Sequence, residues 1–213
     1  MNKKRALVTG SSRGIGKAIA VALAKDGYHV LVHCAGNLAK AEETKATIEQ
    51  NGGTAEIFKA DLCNTAETAA LAERVGDIDI LVLNASLQYR EKWEDISLDR
   101  CAQQLNCNFV SSLLLIQAAV PHMKACKSGR IITIGSVQEA KPHPDMLVYS
   151  ASKAAQTNMV RSLGNEFVKM IFVSFLNSNI YPLKNLLTSR VCISLETPYS
   201  KASSHFPIAS HLQ

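Results

Sequence analysis

Tyr149 and Lys153 stand four residues apart in the stretch "YSASK". On a helix, positions i and i+4 share a face, so the phenol and the ammonium can address one bound molecule. A free tyrosine has a pKa of about 10, a poor match for proton exchange at neutral pH. A fixed cation beside it stabilises the phenolate. Lowering that pKa by about 2–3 units takes roughly 3–4 kcal/mol, within reach of a close lysine in a partly desolvated site. Alone, the pair is also a common chance pattern. A second pattern sits near the start of the chain: "TGSSRGIG", Thr9 to Gly16, with glycines at 10, 14 and 16. At a strand–helix junction such a run has a mechanism. Gly10 permits a tight turn, Gly14 lets a phosphate approach the backbone, and Gly16 lets the helix pack close to the sheet. The helix start then offers free N–H groups and a positive dipole end to an anion.

The elements around these residues supply that junction. "RALVTG" reads as a buried strand ending in glycine, and "IGKAIAVALAKDG" as an amphipathic helix stopping at Gly27. "YHVLVHC" is a second strand, and "NLAKAEETKATIEQNGG" a helix with Asn37 as its cap and a Gly-Gly exit. "TAEIFKADL", "DIDILVLNAS" and "GRIITIGS" continue the strands. "TAETAALAERVG" and a long segment from Leu98 to Cys126, broken near Asn108, continue the helices. Strands apolar on both faces, alternating with helices, argue for a parallel sheet covered on both sides. The predicted fold is α/β: a single-domain, Rossmann-type doubly wound parallel sheet.

With the motifs in this order, the chain resembles the short-chain dehydrogenase/reductases, in their branch of roughly 250 residues that includes 3-oxoacyl-carrier-protein reductases. The resemblance runs from about Arg5 to Lys169. It implies binding of NAD or NADP and interconversion of a carbonyl and a secondary alcohol. The resemblance assigns catalysis to Asn108, Ser136, Tyr149 and Lys153. Tyr149 would be general acid in reduction and base in oxidation. Lys153 would tune it and grip the nicotinamide ribose, Ser136 would polarise the carbonyl, and Asn108 would hold a water, a register that suits Asn106 less well. Cofactor contacts are expected from Gly10, Ser12, Arg13, Gly14, Ile15, Gly16, Asp61, Leu62, Asn84 and Ala85, with Tyr149 and Lys153. Asp61 and Leu62 of "ADLCN" would flank the adenine. In "LNAS", Asn84 and Ala85 match the family wording, while Leu83 and Ser86 depart from it.

Cofactor choice can be reasoned further. An acidic residue at the end of the second strand would bind a ribose 2′-hydroxyl and repel a 2′-phosphate. Here that strand ends in His33, Cys34 and Ala35, with no carboxylate. Arg13 supplies a cation in the glycine turn, so NADP is expected over NAD, although the second arginine expected after the strand is absent. Substrate walls are expected from the loops after the fourth and fifth strands, with Gln88, Arg90, Trp93, Gln138 and His143 as candidates. The resemblance also implies a homodimer or homotetramer built through the two helices that carry Asn108 and Tyr149.

Composition limits the alternatives. The 213 residues are 47% hydrophobic and 19% charged, with a net charge of +5 spread along the chain. "NKKR" is the only short basic run, so no nucleic-acid partner is expected. No stretch reaches the length of a membrane span, and none resembles a signal-peptide core. The six cysteines lack metal-ligand spacing, so reduced thiols, no metal and a cytoplasmic location are expected.

The composition then changes abruptly. Residues 1–169 are read as the NAD(P)-binding catalytic domain, and 170–213 as an atypical tail. All eleven glycines precede residue 170, and the tail's one acidic residue is Glu196. "IFVSFL", 171–176, can form a sixth strand, but the Pro-Gly turn that follows it in the family is missing. Thr188 and "LETP", Leu195–Pro198, echo family wording without that turn. A divergent ending could rebuild the cover over the site. A frame-shifted or alternatively spliced ending, which the compositional break favours, would leave the sheet without its last strand and the site open. The alternatives to an enzyme are therefore a non-catalytic dinucleotide-binding protein or a defective, truncated family member.

Overall fold

Ala6, Leu7 and Val8 have no exposed surface, because their strand β1 (Arg5–Val8) is flanked on both edges and covered on both faces. The computed structural model describes residues 3–166 and 171–175. It forms one sheet in the order β3-β2-β1-β4-β5-β6, every pair parallel. The other strands are β2 (His29–Cys34), β3 (Thr54–Lys59), β4 (Ile80–Leu83), β5 (Arg130–Ile134) and β6 (Ile171–Phe175). Helices α1 (Gly14–Lys25), α2 (Leu38–Gln50), α3 (Thr65–Val75), α4 (Leu98–Leu105), α5 (Ser111–Ala125) and α6 (Leu147–Glu166) make the crossovers.

Strand alternation divides the core in two. Leu7, Leu31, Leu81 and Ile131 pack under residues of α3, α5 and α6, including Leu71, Leu115, Met123 and Val160. Ala6, Val8, Val30, Val32, Val82 and Ile132 pack on the other face with Ile19 and Leu23 of α1 and Ile48 of α2. Consecutive apolar positions in the central strands β1, β2 and β4 are thus buried, as a sheet covered on both sides requires. The architecture is the doubly wound α/β fold that the sequence pattern predicts.

Two local features position the site. The strand order reverses between β1 and β4, which opens a crevice at their C-terminal ends. The expected break near Asn108 is a single π-helical turn, Asn106–Val110, between α4 and α5. Such turns put an extra residue into a helix and often accompany functional sites. Asn37 caps α2 by accepting the Lys40 N–H at 3.0 Å. In the tail, β6 pairs with β5 from Ile171 to Phe175. Lys169, Leu176, Thr188 and Leu195–Pro198 lie outside the described residues.

Candidate active site

The glycine turn is braced from two sides before any ligand arrives. From β4, the Asn84 side-chain amide donates to the carbonyls of Thr9 (2.9 Å) and Gly10 (3.2 Å). The Thr9 hydroxyl accepts the N–H groups of Asn84 and Ala85. From β2, His33 makes four hydrogen bonds. Its N–H donates to Ser11 Oγ, its carbonyl accepts the Ser11 N–H, and its Nδ1 accepts the Gly10 N–H, each within 3.0 Å. With Nδ1 an acceptor, Nε2 carries the ring proton and donates to the Ala60 carbonyl at 3.0 Å. His33 is thus a rivet between β1, β2 and the end of β3. No reading of local spacing could find it, because its partners are 22 to 27 residues away.

Burial pushes the His33 imidazole down from 6.5 to about 4. A neutral ring is what the Gly10 N–H requires. In the unfolded chain the ring takes its proton near pH 6.5, whereas the folded ring resists until about pH 4. The unfolded state therefore binds more protons in that window, and stability falls as pH falls through it. The loss at the acid end is about 3 kcal/mol. Urea unfolding between pH 7 and pH 4.5 should show this slope, and His33→Asn should flatten it. Equal slopes in the two proteins would remove His33 as its source.

Beyond the turn, α1 begins without a side-chain cap at Arg13. The first intrahelical N–H donor is Lys17, so the N–H groups at the start of the helix point into the crevice mouth unmatched by a cap. The crevice is a cleft of about 1020 Å³. It is lined by Gly10, by Ser12 through Gly16, by Asp61 and Leu62, by Asn84 and Ala85, and by Tyr149. The structure thus brings eleven of the sequence-predicted residues to one surface. Asp61 is fixed there by accepting the Cys63 N–H at 2.9 Å.

Three predicted residues are not part of that lining: Lys153 and Asn108 are buried, and Ser136 is half-buried at the end of β5. Lys153 is 1% exposed and donates to the Ile134 carbonyl at 2.6 Å and to Gln156. Burial lowers its pKa from 10.5 to about 8. Asn108 is fully buried: its Oδ1 accepts the Leu87 N–H, and its Nδ2 donates to the Leu87 carbonyl and to Ser152 Oγ. It clamps the loop after β4 onto α6. Asn106 instead donates to the Cys63 carbonyl. Ser136 Oγ accepts the Gln138 N–H, and Glu139 accepts the Ser136 N–H, a reciprocal cap at the end of β5. That leaves the Ser136 hydroxyl proton free of this cap.

The loop after β4 reaches the main cleft through Ser86, Leu87 and Tyr89, and the named wall candidates stand beside it. None of Gln88, Arg90, Trp93, Gln138 and His143 lines the main cleft. Arg90 meets His143 Nε2 at 3.1 Å and Asp145 at 3.6 Å, which ties the loop after β4 to the loop before α6. Gln138 and His143 line a separate depression of about 470 Å³. Two residues not named among those candidates do line the main cleft: Tyr89, whose hydroxyl donates to Gln103 Oε1 at 2.6 Å, and Gln103 itself. Lys40 is another. It stands in the first turn of α2, exposed, and lines the cleft that Arg13 also lines.

A doubly wound sheet with a glycine turn at its switch point defines a class of dinucleotide-binding folds, and similarity to known proteins narrows it. Residues 4–180 match the short chain dehydrogenase family model. The chain belongs to the short chain dehydrogenase family, whose members are oxidoreductases. It is similar to the 3-oxoacyl-[acyl-carrier-protein] reductase FabG of Staphylococcus aureus, with 34% identity over 76% of this chain and 68% of the relative. It is also similar to the oxidoreductase YvrD of Bacillus subtilis, with 36% identity over 76% of this chain and 62% of the relative. Among solved structures, a 3-oxoacyl (acyl-carrier-protein) reductase from Agrobacterium tumefaciens with NADP bound matches at a TM-score of 0.75. Its identity is 36%, and the match covers 80% of this chain and 69% of that one. A metagenomic short-chain oxidoreductase in complex with NADP also matches at 0.75, with 30% identity over 80% and 81% of the two chains.

Proposed function

We propose that this chain is an NADP(H)-dependent oxidoreductase that interconverts a small-molecule carbonyl and a secondary alcohol, with Tyr149 as its proton donor and acceptor. The observation that carries this reading is the single cleft that holds both the braced glycine turn and Tyr149. The residues fit the dinucleotide. The uncapped start of α1 suits a pyrophosphate, and Asp61 and Leu62 offer an adenine site. When bound, the nicotinamide supplies the hydride chemistry. Tyr149 moves the proton at its phenol oxygen, Lys153 one turn further along α6 supplies the cation that favours phenolate, and the Ser136 hydroxyl donates to the carbonyl oxygen.

NADP is favoured over NAD by charge. No carboxylate stands at the end of β2, and Arg13 and Lys40 flank that end of the cleft. Neither carries an ion pair among the described residues. The two similar structures named above were also solved with NADP. Arg13→Ala and Lys40→Ala should each weaken NADPH binding roughly tenfold, as loss of a charge-assisted phosphate contact does, while leaving NADH affinity within about twofold. Calorimetric titration of both nucleotides checks this, and an equal loss for NADH would remove the 2′-phosphate from the explanation.

The division at Lys169 into a catalytic domain and a tail belongs to the same reading. So does assembly as a homodimer or homotetramer through α5 and α6, where Leu113, Leu114 and Val120 remain half-buried. No helix among the described residues is long and apolar enough to cross a membrane. A cytoplasmic location is proposed from the composition. The deciding experiment is thermal unfolding with NADPH and NADH in parallel, followed by NADPH consumption with a panel of ketones and β-keto esters. NADPH at about 100 times its dissociation constant should stabilise the fold by about 2.7 kcal/mol. No response to either nucleotide would end the proposal.

A further inference from the structure

Lys153 is among the largest side chains withdrawn from solvent, yet it is a cation. A buried ammonium needs acceptors around it. It has the Ile134 carbonyl and the Gln156 side-chain oxygen. Gln156, three residues further along α6, is itself 1% exposed. The other end of its amide donates to Ser112 Oγ on α5 at 2.7 Å. The Ser112 hydroxyl in turn donates to the Asn108 carbonyl in the π-helical turn, at 3.2 Å. The direction of this chain is fixed by its ends. An ammonium only donates, so it must meet the amide oxygen, which turns the amide nitrogen to Ser112. Reversing the amide would set N–H against N–H.

We propose that Gln156 is a positioning residue for Lys153, holding its ammonium in place one turn beyond Tyr149 through an amide anchored to α5. This rests on the proposed function in that Lys153 is taken to tune Tyr149. Lys153 is also faced by Glu139, from the 3₁₀ turn after β5, and by Cys107, from the π-helical turn; both favour its charged form. Desolvation opposes them and is the larger effect. On its own helix Tyr149 stands one turn before Lys153, while Arg161 and Glu166 lie two or more turns beyond. Among the side chains, Gln156 is the acceptor bonded to the ammonium in this structure. The charge that the phenolate needs therefore depends on a neutral amide set behind the cleft wall.

The test is a pH titration of Lys153 in the full chain, followed by NMR of 13C-labelled lysine and assigned by the signal lost in Lys153→Arg. The wild-type midpoint should lie at about 8. Gln156→Leu should lower it by about one pH unit, since a hydrogen bond to a charged group is lost. Gln156→Glu should raise it, and Ser112→Ala, which only frees the far end of the amide, should lower it less. A role in packing alone would leave all the midpoints together, and that result would overturn the proposal. If Gln156→Leu does not fold, Ser112→Ala and Gln156→Glu decide. Wild-type protein that neither binds NADPH nor reduces a carbonyl would overturn the proposed function, while the lysine midpoints would still decide whether Gln156 holds the ammonium.

Discussion

Tyr149→Phe is expected to lower kcat for NADPH-dependent carbonyl reduction by about a thousandfold while leaving the NADPH dissociation constant within about twofold. A positioned general acid contributes about 10²–10⁴-fold, and this substitution removes its only proton. The ring itself remains useful. Tyr149 is 9% exposed and lines the cleft from the start of α6, so phenylalanine keeps the same wall. The braced turn and the start of α1, which are assigned the phosphates, lie on other elements and are untouched. The measurements are steady-state turnover and calorimetric nucleotide binding on the same preparation. Activity within about tenfold of wild type would show that the proton comes from elsewhere. A wild type that binds nucleotide but turns nothing over would favour the non-catalytic alternative.

Much of this site is legible without coordinates, because its strongest signals are local. The glycines of Thr9–Gly16 and the Tyr149–Lys153 spacing each fit within a short stretch of chain. Asn37, legible as a cap, does cap α2. Strands apolar at consecutive positions imply the doubly wound sheet that forms. What stays hidden depends on which strands become neighbours. Lys40 reaches the cleft only because β2 lies beside β1, and the first turn of α2 then overhangs the glycine turn. Tyr89 and Gln103 meet across a loop and a helix, fourteen residues apart. The substrate-wall candidates are polar and in the right loops, but Arg90 and His143 turn to each other and to Asp145 instead. In the sequence, His33 reads only as a place where a carboxylate is missing. Its ring is in fact a structural bond, which only the packing of three strands reveals.

Gly16→Ala is expected to be the most damaging of the single-methyl changes in the turn, costing roughly 4 kcal/mol of stability and about a hundredfold in nucleotide affinity. A Cβ at this position would lie 2.4 Å from the Gly10 carbonyl oxygen, 2.6 Å from Asn84 Nδ2 and 2.9 Å from Ser11 Cα. Flexible neighbours could yield, but these cannot. The Gly10 carbonyl is held by Asn84, the Gly10 N–H by His33, and the Ser11 N–H by the β2 backbone. The helix would have to lift from the sheet, and the N–H groups offered to the pyrophosphate would move with it. Gly14 makes the contrast. It has a φ of +57° with nothing within 4 Å of an added Cβ, so Gly14→Ala meets backbone strain alone, about 1–2 kcal/mol. Urea unfolding of both variants, with NADPH titrations alongside, separates close packing from backbone conformation. If Gly16→Ala were within about 1 kcal/mol of wild type, the turn would be able to yield, and the bracing by His33 and Asn84 would not be what sets its shape.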